Sequence, residues 1–352
     1  MRNQRYRVVI LLLLFVGLRI PLAAQPITES PRLPDGRPDL QGVWDFRTLT
    51  PLQRPTERAD QGLLTAEEAA EIEANAVKRA VEADQPSEVR TEPLPVGGNV
   101  GGYNNYWFDR GATVVGDRRT SLIVEPMDGR LPETRAGVLH QGGDDSDPAR
   151  IPQRPVRFRV GGIASDGPED RGLAERCLLG FNTGPPIVPG GYNQNIQIFQ
   201  TDTHVVILNE MVHDSRIVPL DGRAQLPDSV RQWMGSSRGR WDGDTLVVET
   251  MNFTNNTSSF SPSVRTSIGT GATMRLTERF RRLDADTLLY EFTVNDLSSF
   301  ATPFTAALPM KRGAAPVFEY ACHEGNYAIP NILAGARMEE ALADRRNQEG
   351  QP

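Results

Sequence analysis

The stretch TMRLTERFRRLDADTLLYEFTVND, Thr273 to Asp296, constrains the fold more than any other. On both sides of Asp284-Ala285-Asp286, apolar and polar residues alternate with the period of a half-buried strand. A three-residue loop sets Leu283 opposite Thr287. Phe280 then faces Tyr290, Glu278 faces Phe292, Leu276 faces Val294 and Met274 faces Asp296. This register gathers the apolar residues of both strands on one face, whereas a two-residue loop would split them between faces. The segment predicts an antiparallel hairpin with one buried face.

Other segments extend the β pattern. GRWDGDTLVVET carries Asp242-Gly243 between Trp241 and a Val-rich run, a strong hairpin signal. GGYNNYWF (Gly101 to Phe108) returns as GGYNQNIQIF, and SLIVEPMDGRLP returns as SRIVPLDGRAQLP. The order and spacing suggest two copies of one β-unit, over 101–132 and 190–227. The 32 Gly and 27 Pro suit short strands joined by turns. We therefore expect an antiparallel β-barrel or sandwich over 96–330, lipocalin-like by analogy, because closure removes exposed edges. Residues 25–63 read as Pro-rich and irregular, anchored by Trp44 and Phe46. A helix is expected over 65–84, where Thr65 and Glu68 make a capping box. A C-terminal helix is expected from Asn331 to about Ala343, followed by a charged tail.

The first 24 residues read as an export signal. Arg2, Arg5 and Arg7 precede an apolar run from Val8 to Gly17, and Leu22-Ala23-Ala24 offers a cleavage site after Ala24. The expected location is periplasmic or secreted, with no stable membrane span after cleavage. Cys177 and Cys322 are the only cysteines. In an exported chain such a pair is most simply one disulfide. The net charge is −7 with dispersed Lys and Arg, which argues against nucleic acid, since that partner requires a basic face.

Candidate chemistry is sparse. Glu278 falls on the apolar face of its strand, where lost hydration raises a carboxylate pKa unless a cation answers it. It is a general acid or base, a buried salt bridge to an Arg such as Arg275 or Arg279, or a residue on a strand face that opens to water. Asp296 shares that face, but lies about 13 Å along the strand from Glu278, beyond the separation of glycosidase pairs. NEMVHDSR, Asn209 to Arg216, ends a long apolar run. As one continuous strand it puts Glu210 and His213 on opposite faces and leaves His213 with Ile207, Asn209 and Met211. EYACHEGNY, Glu319 to Tyr327, holds His323 and Glu324 beside Cys322, so a bridge would tie them to the loop before the second GGYN. His140 reads as a loop residue and His204 opens a strand. A zinc site from His213, His323 and a Glu lacks any close-spaced histidine pair, so no metal is assigned. Nucleotide-binding and serine-hydrolase motifs are missing, so no cofactor is expected. Aromatics that stack on rings or sugars, or pack strand ends, are Tyr103, Tyr106, Trp107, Tyr192 and Tyr327.

LPDGRPDLQGVW (Leu33 to Trp44), GRWDGDTLVVET, LTERF (Leu276 to Phe280) and EYACHEGNY together resemble a family of exported bacterial proteins to which no activity is attached. The resemblance spans most of the mature chain and implies one established fold. The residues themselves suggest a cofactor-independent hydrolase or lyase acting on a small organic or sugar-like molecule. Glu278 is the expected acid or base, and His213 and His323 are its proton partners. Arg216 is the expected anion clamp, and Tyr327, Tyr192 and Trp107 are the expected substrate contacts. The alternatives are a lipocalin-type binding protein and an envelope interaction module without a pocket.

Overall fold

The hairpin at Thr273–Asp296 forms in the expected register, with Glu278 opposite Phe292 and Phe280 opposite Tyr290. The computed structural model that shows it describes residues 30–85, 91–92, 107–138, 140–141, 165–263, 266–314 and 316–350. The expected leader and the first-copy GGYNNY, with Tyr103 and Tyr106, lie outside the described residues.

The strands in chain order are β1 (Gly42–Asp45), β2 (Ile123–Glu125), β3 (His140–Gln141), β4 (Asn195–Gln200), β5 (His204–Asn209), β6 (Ser215–Pro219) and β7 (Ser236–Asp242). They continue with β8 (Thr245–Met251), β9 (Phe260–Ser263), β10 (Thr266–Ile268), β11 (Arg275–Arg282), β12 (Thr287–Asn295) and β13 (Phe304–Arg312). Helix α1 covers Ala66–Ala83, and helix α2 covers Ala328–Gln348. The main sheet runs β6-β5-β4-β1-β13-β12-β11-β8-β7, with β2 added on β13, while β3, β10 and β9 make a small second sheet. In ring order the strands of the main sheet simply follow the chain, with β13 closing onto β1. The fold is thus a nearly closed antiparallel barrel.

Parity explains why it is only nearly closed. Every ladder in the series of nine is antiparallel, so the first and last strands, β6 and β7, point the same way. An odd ring cannot alternate throughout. The missing ladder is the one that would have to be parallel, and the connection over 220–235 is the long crossover such a pair needs. The two strands nevertheless lie side by side. Gly239 on β7 permits this, because a Cβ there would stand 2.8 Å from Val218 Cγ1 and 2.6 Å from Leu220 Cδ2. Side-chain packing, not a hydrogen-bond ladder, holds the seam.

Alternation along each strand fills the interior. Ile196, Ile198, Val205, Ile207, Val218, Leu246, Val248, Phe280, Tyr290 and Leu308 belong to one continuous buried cluster. Trp44 and Phe46 anchor the N-terminal segment in it, as expected. The segment around them is not wholly irregular, however. GVWD is a barrel strand, too short to show a period in sequence and fixed by its slot between β4 and β13. The Asp242-Gly243 hairpin forms as β7 and β8, with Gly243 and Asp244 as the loop residues and Gly243 at φ 55°. Helix α1 carries the full capping box of Thr65 and Glu68. Helix α2 starts three residues earlier than expected, because Pro330 in a first turn loses no intrahelical hydrogen bond. Of the paired sequence units, GGYNQNIQIF and SRIVP build β4 and β6, whereas IVE of the first copy forms β2 on β13. His140 opens strand β3 instead of lying in a loop.

Candidate functional site

Two polar constellations stand out, one inside the barrel and one outside it. The inner one is built by parity. Arg216 on β6 is paired with inward-facing Ile207, and Glu278 on β11 is paired with inward-facing Val248 and Phe292. Both side chains therefore point into the core. Glu278 is fully buried and Arg216 nearly so. The guanidinium grips the carboxylate with both terminal nitrogens, Nη2 at 2.9 Å from Oε1 and Nη1 on Oε2. Tyr290 donates its hydroxyl to Oε1 at 2.8 Å and accepts the Ile187 N–H at 3.0 Å. Burial works against the Arg216 charge, but the charge and hydrogen bonds of Glu278 outweigh it and raise the guanidinium pKa. Burial, then the neighbouring Glu278 charge, pushes the Tyr290 phenol well up.

This geometry reassigns two expected site residues. Glu278 was expected as an acid or base and Arg216 as an anion clamp, but here each is the other's partner. Neither Arg275 nor Arg279 answers the carboxylate. Its lone pairs are taken by Arg216 and Tyr290, and neither histidine is among its partners. A closed, charge-balanced set of this kind has no free group to offer a substrate.

The outer constellation begins at the turn between β5 and β6. The apolar run does not continue as a strand through NEMVHDSR. It stops at Asn209 and reverses through a tight turn over Met211–His213, with Val212 at φ 60° and His213 at φ 43°. Left-handed backbone is costly for a β-branched residue. Packing compensates: Met211 and Val212 are buried against Cys177, Phe181, Tyr192, Tyr320 and Cys322. The turn leaves Glu210 buried, with Oε2 accepting from Asn195 Nδ2 at 2.7 Å and Oε1 accepting from the Phe318 N–H at 3.1 Å. His213 is exposed, and its Nδ1 lies 3.2 Å from the Tyr320 carbonyl oxygen. Asp214, on the far side of the turn, is pushed up to about 6 by burial, which the nearby His213 partly offsets.

The Cys177–Cys322 bridge closes over this turn, with Cα atoms 5.8 Å apart. It draws EYACHEGNY against the end of β5. Asn326 Nδ2 donates to the Glu175 carbonyl at 3.0 Å, fastening the same segment a second time. The result is a groove of about 1030 Å³, outside the barrel wall. Trp107, Asn193, Asn195, Glu210, Tyr320, Glu324 and Asn326 line it. Its charged lining residues are Asp109, Glu175, Glu210, Glu319 and Glu324, and no Lys, Arg or His is among them. Arg47 pairs with Asp109 and Arg171 pairs with Glu175. A second groove, about 680 Å³, lies between α1 and residues 108–113, but none of the sequence-predicted site residues lines it.

Among the predicted contacts, Trp107 lines the first groove and is 58 % exposed. Tyr192 stands behind the wall, stacked on Tyr320 at 6.4 Å and edge-on to Phe181 at 5.1 Å. Tyr327 caps α2 and is open to solvent, and His323 is exposed beside the bridge. Sequence reasoning weighed Glu210 and Glu324 without making either a site residue, and it passed over Asn195, Tyr320 and Asn326. The one signal that could have joined them was the cysteine pair, which brings EYACHEGNY to the second GGYN. Among the described residues, no three His, Cys, Asp or Glu side chains gather as a metal-ligand set. No described helix is long and apolar enough to cross a membrane. In comparison with known proteins, the chain matches no protein-family model, no curated protein and no solved structure.

Proposed function

We propose that the protein binds a small, uncharged or cationic, sugar-like molecule in the groove beside the Cys177–Cys322 bridge. The observation that carries this reading is the convergence of three distant segments there. Each brings side chains suited to ligand contact: an exposed Trp107, the amides Asn193, Asn195 and Asn326, and the carboxylates Glu210 and Glu324. Aromatic faces stack on sugar rings, and amides and carboxylates satisfy hydroxyls. The acidic lining disfavours anions, because a like charge entering a partly desolvated groove is repelled. The reading extends to an exported protein, supported by the leader-like N-terminus and the bridge. It keeps the family resemblance as part of the proposal.

The experiment is titration of the full mature chain with neutral, aminated and uronic sugars, read by tryptophan fluorescence. Neutral or aminated ligands should quench saturably, and Trp107→Ala should remove the change. A preference for uronates, or quenching that survives Trp107→Ala, contradicts the proposal. Fixation of Glu210 by Asn195 and Phe318, beside the exposed Glu324, favours one second reading: acid–base turnover of the same ligand. That reading requires product formation that Glu324→Gln abolishes while binding persists.

A further inference from the structure

Helix α1 is fastened through its first half. Its one buried residue is Ala69, and Glu73 Oε1 accepts the Val114 N–H at 3.0 Å. From Ala76 onward the helix lines the second groove, of about 680 Å³, with Leu49 and residues 108–113 on the other side. That other wall is fixed independently. The Leu49 N–H donates to the Thr113 carbonyl at 2.8 Å, and the Asp109 N–H donates to the Gly191 carbonyl at 2.7 Å. Gly111, at φ 78°, lies so close that a Cβ there would stand 3.0 Å from Arg47 Cβ. The helix contributes Ala76, Ala80 and Ala83 to the lining, and the loop contributes Gly111 and Ala112. Such short side chains leave the space between two fixed walls unfilled.

The lining differs in kind from that of the groove beside the bridge. Val77 and Val81 are 53 % and 58 % exposed, and both line the second groove together with Leu49 and Phe108. Apolar side chains gathered on one concavity suit a hydrocarbon body. The charged lining residues are Arg47, Arg79, Arg110 and Lys311 against Asp45, Asp84 and Asp109, four cations to three carboxylates. The groove beside the bridge has five carboxylates and no cation. Arg47 is already taken by Asp45 and Asp109. Arg79 and Arg110 are in no ion pair among the described residues. The Arg110 guanidinium lies over the Phe108 ring at 4.2 Å, which occupies its flat face and leaves its N–H edge for an oxygen anion. On the helix, Lys78 and Glu82 pair with each other, and neither lines the groove.

We propose that the second groove binds an amphiphilic monoanion, a carboxylate on a hydrocarbon chain. Its head meets Arg110 and Arg79, and its chain covers Val77, Val81 and Leu49. The volume is that of a small-molecule pocket. A polar sugar would leave the valines open to water, and an amine would meet the unpaired guanidiniums.

The test is calorimetric titration of the full mature chain with octanoate, octanol and octylamine. Octanoate should bind saturably, at least about tenfold more tightly than octanol, with octylamine weaker again, and added salt should narrow the difference. Arg110→Ala should weaken octanoate by about tenfold and leave octanol within about twofold. Val81→Asp sets a carboxylate where the chain lies and should abolish octanoate binding. Both residues are exposed, so both variants should fold. Trp107→Ala, which cripples the groove beside the bridge, should leave octanoate binding within about twofold. Octanol that binds as tightly as octanoate overturns the proposal. So does octanoate binding that survives both Val81→Asp and Arg110→Ala, or that Trp107→Ala removes, and so does the lack of any saturable octanoate binding.

Discussion

The interior pair and the exterior groove use the same residue types in opposite ways. Inside, Glu278 meets Arg216, Tyr290 and, through the phenol, the Ile187 amide, and the carboxylate oxygens, the terminal guanidinium nitrogens and the phenol all have partners within the core. Outside, Glu210 is held by Asn195 and Phe318, while Glu324 and Glu319 stand exposed with no ion pair among the described residues. A buried carboxylate is thus not a site merely by being buried. What distinguishes a site is residual bonding capacity facing a space that a ligand can enter. The inner set has none, and the groove has several groups that do.

The sharpest way to break this contrast is to cut the inner pair. Glu278→Gln leaves Arg216 charged and unanswered in the core, so stability should fall by about 3–5 kcal/mol. Arg216→Met with Glu278→Leu removes both charges and should recover most of that loss. Urea unfolding measures both. If Glu278→Gln is as stable as the parent, the pair is not the structural element described. In the folded fraction, ligand binding in the groove should be unchanged. The bridge comes next. Cys177→Ala with Cys322→Ala should lose about 2–5 kcal/mol, since the bridge closes a loop with a sequence separation of 145. Unlike the inner cut, this one should also weaken groove binding, because it releases the wall that carries Tyr320, Glu324 and Asn326. Unchanged affinity in the unbridged variant would separate the groove from the bridge.

The sequence disclosed these two regions unequally. The register of β11 and β12 was readable because a period of two fixes which residues share a face, and it placed Glu278 inward. The partner was not readable. Arg216 approaches from β6, and only barrel closure decides which strands face each other across the interior. Arg275 and Arg279 seemed natural partners, but their odd positions put them on the outer face of β11. The capping box of α1 was legible because it is local. β1 was not, because four residues carry no period. The groove was hidden for a different reason. Its residues lie in loops whose conformations follow no periodic rule, and Val212 and His213 adopt left-handed backbone that no pattern in NEMVHDSR announces. The cysteine pair was the only long-range clue, and the sequence reading followed it to His323 and Glu324 without reaching Glu210.

A smaller effect sharpens the outer half of the contrast. Glu210→Gln keeps a carbonyl oxygen for one of its two partners and sets an NH₂ against the other. The cost should be about 1 kcal/mol, well below that of Glu278→Gln. Groove affinity for an aminated ligand should nevertheless fall by about tenfold, because one of the carboxylates lining the groove loses its charge while Glu319 and Glu324 keep theirs. A loss of stability equal to that of Glu278→Gln, with affinity intact, would make Glu210 another structural carboxylate and remove the distinction between the two regions.

The smallest expected effect lies between the regions, at Asp214. Burial lifts its pKa from 3.8 to about 6 in the folded protein, and its Oδ2 is buried without a hydrogen-bond partner. The folded state therefore holds a proton that the unfolded chain releases between these values. Stability from this group is fully present below pH 3.8 and is lost as pH rises through about 6. At pH 7.5 the group is a half-buried, poorly solvated carboxylate, and it should cost roughly 1 kcal/mol after solvent screening. Asp214→Asn abolishes the titration. It should raise the unfolding midpoint by about 1–3 °C at pH 7.5, with a gain that shrinks toward zero near pH 4. Unfolding scans at the two pH values decide it. If the gain is the same at both, packing is responsible and not ionisation. If it is larger at pH 4, the carboxylate is stabilising when charged, which would mean that His213 outweighs burial at the turn.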